Sequence, residues 1–235
     1  MSSTQRESDP SRAAPATRSV RVWDVPVRLC HWSLVVLLAV CWYTGETSGV
    51  DEMTWHMRCG YAVLGMVVFR LLWGFVGSST ARFTHFLRGP RATLASVAEL
   101  IRLRPPSPIG HSPLGGWMIA ALLACLLTQA VTGLFASDEV MTEGPLSHRV
   151  TGATVAFLTT VHKWNFELLL VLVGTHVAAV LFHLLVLRAN LILPMLTGRK
   201  CIPADTPDPA LNFAGPGTTV LVAAVAAGAV YLLVR

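Results

Sequence analysis

The chain has 235 residues, of which 53% are hydrophobic and 13% are charged. Soluble domains carry about 25% charged residues, so the composition excludes an ordinary water-soluble protein and indicates an integral membrane protein. The net charge of +5 does not indicate nucleic-acid binding, because the basic residues lie in loops between apolar runs. The five cysteines form no CxxC or CxxCH motif, so there is no sign of a zinc ribbon or of covalently attached haem.

The first segment, residues 1–20, reads MSSTQRESDPSRAAPATRSV and is polar and rich in Ser, Arg and Pro. This composition predicts a disordered cytoplasmic tail. It is not a signal peptide, because it lacks an apolar core. The membrane domain is therefore expected to begin near residue 21.

Five apolar runs follow, each close to the ~20 residues that a spanning helix needs. They lie at about residues 27–46, 56–77, 114–136, 157–187 and 217–234. The fourth run is the longest, so its helix is expected to tilt or to project beyond the bilayer. Between the second and third runs, RATLASVAELIRLRPP predicts either a short amphipathic helix on the inner surface or a solvated basic loop.

Basic residues are divided unequally between alternate loops. The tail, the segment between the second and third spans, and the end of the fourth span with its following loop hold 13 of the 18 basic residues. The other loops, residues 47–55 and 137–156, contain Arg149 as their only basic residue. The positive-inside rule therefore predicts a cytoplasmic N-terminus and, after five spans, a periplasmic C-terminus.

Histidine is rare inside spans and usually functional there, and four of the histidines in or beside the spans fall at two depths. In HKWNFELLLVLVGTH, His162 and His176 are fourteen residues apart, which places both rings on one helix face and about 21 Å apart along the axis. His31 lies near the cytoplasmic side of the first span, and His56 starts the second span on the outer side. We call His31 and His176 the inner pair, and His56 and His162 the outer pair.

Two facing imidazoles inside a helical bundle suit a b-type haem, whose iron takes one nitrogen from each side. Two such sites at different depths would form an electron path across the membrane. With both axial positions filled by protein, such a site passes electrons and does not activate ligands. The alternative is that each histidine hydrogen-bonds a neighbouring helix, which accounts less well for four residues matched at two depths.

The carboxylates of haem require cations, and several basic residues lie at the levels of the two pairs. Arg70 follows His56 by fourteen residues, so it should lie at the level of the inner haem. Arg28 is a second candidate there, or an anchor at the membrane edge. Arg58 and Lys163 sit beside the outer ligands, where they either bind haem carboxylates or face water at the interface.

Other histidines compete for these roles. His183 follows His176 by seven residues on nearly the same face, but it lies about 10 Å nearer the cytoplasm. We interpret it as a partner of a haem propionate or of a quinone site. His85, His111 and His148 fall in loops and are expected to be solvated.

Several segments together resemble the bacterial cytochrome b561 family, which includes the b-type cytochrome subunits of nickel-iron hydrogenases. They are VWDVPVRLCHW, WHMRCGYAVLGMVVFRLLWGFVGSSTARFTHFLRGP, GHSPLGGWMIAALLACLLTQAVTGLFASDE, and the fourth span with NLILPMLTGRK. The resemblance covers about residues 21–200. It implies a four-helix bundle in the bacterial inner (plasma) membrane, with two b haems that exchange electrons with membrane quinone.

The family's ligand pattern falls on His31, His56, His162 and His176, in agreement with the depth argument. The expected fold class is an all-α integral membrane protein with a four-helix haem-binding bundle. Residues 201–235 depart from the basic family pattern and add a linker and a fifth transmembrane helix, which either caps the bundle or binds a partner.

The leading hypothesis is a di-haem cytochrome that carries electrons between membrane quinone and a periplasmic redox protein such as a c-type cytochrome. The alternatives are the membrane anchor of a hydrogenase or similar dehydrogenase, a superoxide:quinone oxidoreductase, and a transporter or channel. The outer loops carry acidic residues, namely Glu46, Asp51, Glu52, Asp138, Glu139 and Glu143. Their field would repel superoxide and attract a basic c-type cytochrome. A channel would need a polar row along a span, and Gln129 is an isolated polar residue in the third.

Overall fold

The computed structural model describes residues 16–47, 49–103, 110–138 and 142–235. Most of the predicted tail, Arg104 and Glu139 lie outside the described residues. The helices are α1 (Val25–Thr47), α2 (Val50–Val76), α3 (Phe83–Phe86), α4 (Pro90–Ile101), α5 (Pro113–Gly133), α6 (Gly152–Leu185), α7 (Ile192–Thr197) and α8 (Pro216–Val234). The strands are β1 (Thr17–Arg21) and β2 (Arg199–Pro203).

Five of these helices, α1, α2, α5, α6 and α8, are long and apolar enough to cross a membrane. Each coincides with one predicted run, so the membrane fold expected from the sequence is confirmed. Helix α6 has 34 residues, about 51 Å at the rise of an α-helix, which exceeds the ~30 Å hydrocarbon core as its sequence predicted. The segment between α2 and α5 forms a helix, α4, and not only a solvated loop.

Successive spans run antiparallel, and α2 lies at the centre. Helix α2 packs against α1, α5 and α8, whereas α6 packs chiefly against α5. Val67 and Trp73 of α2 are completely buried. We call the end of the bundle where α1 begins and α2 ends the inner end, in keeping with the names of the histidine pairs.

A two-stranded ribbon closes the inner end. Strand β1 pairs antiparallel with β2, from Thr17 opposite Pro203 to Arg21 opposite Arg199. The disordered tail was predicted to reach residue 20, and this part of the prediction is wrong for the residues of β1. Composition describes a segment by itself, whereas β1 is stabilised by pairing with β2 at the other end of the domain. Strand β2 begins at Arg199, two residues before the predicted linker.

Asp24 fixes the start of α1 against α2. Its Oδ1 accepts the Val27 N–H at 2.8 Å, which is an N-cap bond, and its Oδ2 accepts the Trp73 Nε1–H at 2.9 Å. The carboxylate is 2% exposed, so both of its oxygens are satisfied inside the protein. The first span is thereby held in register with the end of the second.

Helix α8 lies against the bundle along one face of α2. Its buried residues recur every fourth position, at Val222, Ala226 and Val230. Small side chains allow such close helix packing. The sequence left open whether the fifth span caps the bundle or binds a partner, and in the structure it packs against the bundle.

Candidate functional site

The inner pair joins the first and fourth spans. The ring centroids of His31 in α1 and His176 in α6 are 6.5 Å apart, with 57° between the ring planes. His31 also makes an edge contact with Trp32 at 5.1 Å. Its Nδ1 is buried and has no hydrogen-bond partner in the described part of the chain.

The outer pair joins the second and fourth spans. The centroids of His56 in α2 and His162 in α6 are 6.3 Å apart, with 76° between the planes. Each Nδ1 lies 2.9 Å from a backbone carbonyl oxygen, that of Cys41 for His56 and that of Gln129 for His162. A carbonyl only accepts, so each Nδ1 carries the proton and each Nε2 keeps its lone pair.

Gln129 and Asn165 form a polar network with His162 that the sequence analysis missed. The side-chain nitrogen of Gln129 lies 3.1 Å from His162 Nε2. Asn165 Nδ2 donates to Gln129 Oε1 at 2.7 Å and to the carbonyl of Cys125 at 3.0 Å. Gln129 is therefore not an isolated polar residue. The sequence pointed to this network only through Asn165, a second polar residue three positions after His162 in an apolar span.

The spacing of each pair fits a metal ion whose remaining ligands come from a cofactor and not from the protein. A metal held between two imidazole nitrogens at about 2 Å from each separates the ring centroids by about 6 Å, which is close to both observed spacings. In residues 16–47, 49–103, 110–138 and 142–235, no group of three or more His, Cys, Asp or Glu side chains could hold a metal ion. Two protein nitrogens per site suit a haem iron with both of its open positions filled by histidine, since the porphyrin supplies the other ligands.

Two arginines lie at the inner end, as their spacing predicted. Arg70 is 6% exposed, and its guanidinium lies over the rings of Phe83 and Phe86, 5.5 Å and 5.8 Å from their centroids. Its Nη1 is buried without a partner among the residues described. Arg28 donates from Nη1 to the carbonyl of Leu196, whereas its buried Nε has no described partner.

His111 does not behave as the solvated loop residue that was expected. Its ring lies 4.4 Å from that of Trp23 and 5.2 Å from that of Phe86. Its Nδ1 is buried and makes no hydrogen bond to any described group. Burial, together with the nearby Arg70 and His176, lowers the pKa of His111 to about 3, so the ring is neutral near pH 7.

The remaining candidates lie in more exposed positions. Arg58 and Lys163 are exposed, and Arg58 lies 5.5 Å from the ring centroid of Trp55. His183 is partly buried, and its Nδ1 lies 2.8 Å from the carbonyl oxygen of Ala179 in its own helix. His85 and His148 are exposed, as expected.

The profile described as prokaryotic cytochrome b561 matches residues 22–198. The chain belongs to this family. It is a membrane b-type cytochrome of electron transfer, and b-type cytochromes carry haem b. The matched region contains all four histidines of the two pairs and leaves β1, β2 and α8 outside.

This cytochrome is similar to two curated proteins named "Probable Ni/Fe-hydrogenase B-type cytochrome subunit". The one from Azotobacter chroococcum mcd 1 is 26% identical over 222 residues, which cover 81% of this chain and 92% of the relative. The one from Bradyrhizobium diazoefficiens is 25% identical over 212 residues, which cover 77% and 86%. No solved structure matches the chain significantly.

Proposed function

We propose that this cytochrome binds two haem b groups and carries electrons between membrane quinone and a periplasmic redox protein. The observation that carries the proposal is the arrangement of α6. This single helix presents one histidine to α1 and another to α2, with ring spacings of 6.5 Å and 6.3 Å. One pair would support one haem, whereas two pairs fourteen residues apart support a relay.

His31 and His176 would hold the inner haem, and His56 and His162 would hold the outer haem. Haem b, when bound, supplies a one-electron redox centre. In the outer pair, the carbonyls of Cys41 and Gln129 orient the rings and direct the Nε2 lone pairs into the site. The side-chain amide of Gln129 lies 3.1 Å from His162 Nε2 and would have to give up this contact for the nitrogen to bind iron.

Cations complete the two sites. Arg70 and Arg28 bind carboxylates of the inner haem, which explains unpartnered guanidinium nitrogens at that depth. Arg58 and Lys163 are the candidates for the outer haem. His183, at the inner end of α6, is the candidate for a contact with quinone or with a propionate.

The protein lies in the bacterial inner membrane with its N-terminus in the cytoplasm and its C-terminus in the periplasm. The unequal division of basic residues between alternate loops supports this orientation. It puts the exposed carboxylates of Glu46, Asp51 and Glu143 on the periplasmic face. A basic c-type cytochrome is attracted to such a face.

A second candidate function is the membrane subunit of a hydrogenase. The printed name of the relatives from Azotobacter and Bradyrhizobium favours it. In this case the periplasmic partner is the electron donor, and quinone is the acceptor. The haem arrangement is the same, so the two candidates differ in the partner and in the direction of flow.

Purified protein in quinone-containing vesicles distinguishes them. On the first proposal, added quinol reduces both haems, and oxidised basic c-type cytochrome outside is reduced at a rate that falls as salt is added. The matched variant His162→Ala, without the outer haem, should not reduce the external cytochrome. Failure of quinol to reduce protein-bound haem contradicts the proposal, and reduction by hydrogen with a purified hydrogenase establishes the second candidate.

A further inference from the structure

His111 occupies a position that the two histidine pairs do not explain. It lies in the turn before α5, where Ser112 caps the helix by accepting the Gly115 N–H at 3.1 Å. Its ring is held between Trp23 and Phe86, with centroid distances of 4.4 Å and 5.2 Å. Its buried Nδ1 nevertheless lacks a partner within the described ranges, and a buried polar atom in this state requires an explanation.

Arg70 contacts the same ring as His111 and also has a buried nitrogen, Nη1, without a hydrogen-bond partner in the described residues. Arg70 and His111 lie against one ring, Phe86, at 5.8 Å and 5.2 Å from its centroid. His111 is also within electrostatic range of both Arg70 and His176 of the inner pair. The two residues with unsatisfied nitrogens, Nη1 of Arg70 and Nδ1 of His111, therefore share the Phe86 ring and lie within electrostatic range of each other.

Asp24 is the buried carboxylate of this region, and it is already occupied. Its Oδ1 accepts from the Val27 N–H and its Oδ2 from the Trp73 Nε1–H. Arg70 and His111 can each donate a hydrogen bond, since a neutral imidazole carries one N–H and a guanidinium carries five. Within the described residues neither donor has an acceptor, and an oxygen anion bound at this position would satisfy both.

We propose that His111 and Arg70 together bind one carboxylate of the inner haem, with His111 donating from Nδ1. This inference rests on the proposed function, which assigns the inner haem to His31 and His176. His111 is then a positioning residue for the cofactor, supplied by the loop before the third span. It tethers α5, which provides no axial ligand, to the inner site.

Three variants of the full-length protein test the role of the N–H group. His111→Phe keeps an aromatic ring between Trp23 and Phe86 but removes the donor. His111→Asn keeps an amide donor near the position of Nδ1. His85→Phe is the matched control, because His85 is an exposed histidine next to Phe86. Haem content and a redox titration are measured for each, and the inner haem is identified by repeating the titration with His162→Ala.

We expect His111→Phe to lower the midpoint potential of the inner haem and to leave the outer haem unchanged. Without the donor, the carboxylate charge is less compensated, so adding an electron to the nearby iron is less favourable. His111→Asn should restore much of the potential, and His85→Phe should match the wild type. Combined with Arg70→Gln, the effect of His111→Phe should be less than additive, because both residues bind one group.

Other outcomes decide against the inference. Unchanged potentials in His111→Phe with both haems bound overturn it. Unchanged potentials with slower reduction by quinol assign the site to quinone and also overturn it. If His111→Phe loses the inner haem but His111→Asn retains it, the hydrogen bond is supported. Loss of the inner haem from both variants would show that the His111 ring acts only by packing, which overturns the inference. Absence of haem from the wild type is a failure of the proposed function and is seen before any variant is made.

Discussion

Gln129 accepts the Nδ1–H of His162 through its backbone carbonyl at 2.9 Å. The carbonyl of Cys41 does the same for His56 at the same distance. The inner pair differs, because His31 Nδ1 has no such acceptor in the described structure. A hydrogen bond of this kind fixes the orientation of a metal-binding imidazole and makes it a stronger electron donor.

This asymmetry predicts the order of the two haem potentials. Stronger donation from His56 and His162 stabilises oxidised iron in the outer haem, whereas the buried cation Arg70 stabilises reduced iron in the inner haem. We therefore expect the inner haem to have the higher midpoint potential. A redox titration of His31→Ala and His162→Ala, each retaining one haem, measures the two values separately, and the reverse order would show that other groups set the potentials.

The two histidine pairs and the absence of a CxxCH motif predict two non-covalent haems. We expect a pyridine haemochrome assay of the purified protein to give about two haems per chain, all extractable by acid acetone. One haem per chain would leave one pair as an interhelical contact. Haem that resists extraction would mean a covalent attachment that this sequence does not provide for.

Each histidine pair should control one haem. Replacing His56 or His162 by Ala should remove the outer haem, and replacing His31 or His176 should remove the inner one. His183→Ala should retain both, since the ring hydrogen-bonds the carbonyl of Ala179 in its own helix. Haem content and optical spectra test this, and loss of a haem in His183→Ala but not in His176→Ala would reassign the inner ligand.

Gly133 leaves the room that the ring of His162 requires. A Cβ atom at this position would lie 3.0 Å from Cε1 and 3.4 Å from Nδ1 of His162. Gly133→Ala should therefore displace the ring, shift the spectrum of the outer haem or lower its occupancy, and spare the inner haem. Gly174→Ala in α6 is the control, because a Cβ there meets nothing within 4 Å. Equal effects of the two substitutions would mean that helix propensity, not crowding of the ligand, is responsible.

Arg70 should raise the potential of the inner haem. A buried charge within a span is unfavourable, and a haem carboxylate would offset its cost. Arg70→Leu removes a cation that favours the reduced form, so the midpoint potential of the inner haem should fall while the outer haem, about 20 Å away, shifts much less. Arg88→Leu, at an exposed position, provides the control for loss of one charge. Equal shifts of the midpoint potentials of both haems would show that Arg70 has no specific effect on the inner site.

The spans and the depths of the four pair histidines could be predicted because both depend on the length and period of single helices. Apolar length gives the spans, and the period of the helix gives the common face of His162 and His176. The alternating direction of successive spans then matches the depths of His31 and His56. No knowledge of side-chain packing was needed for any of these steps.

The missed features depend on contacts between distant segments. His111 is a loop residue by sequence, but its ring packs against Trp23 and Phe86 from other segments, and its Nδ1 is buried. Gln129 is an isolated polar residue within its own span, and its partner Asn165 lies on another helix. Strand β1 has the composition of a tail because its pairing partner is β2.

The ribbon of β1 and β2 also imposes an order on biosynthesis. Strand β1 leaves the ribosome before its partner β2, which follows only after all four pair histidines have been made. At 5–20 residues per second, the roughly 180 intervening residues delay the pairing by about 10 to 40 s. The N–H groups of Val22 and Trp23, which bond to the carbonyl of Gly198, wait for the same interval. The ribbon that closes the inner end can therefore form only after the whole four-helix domain has been made.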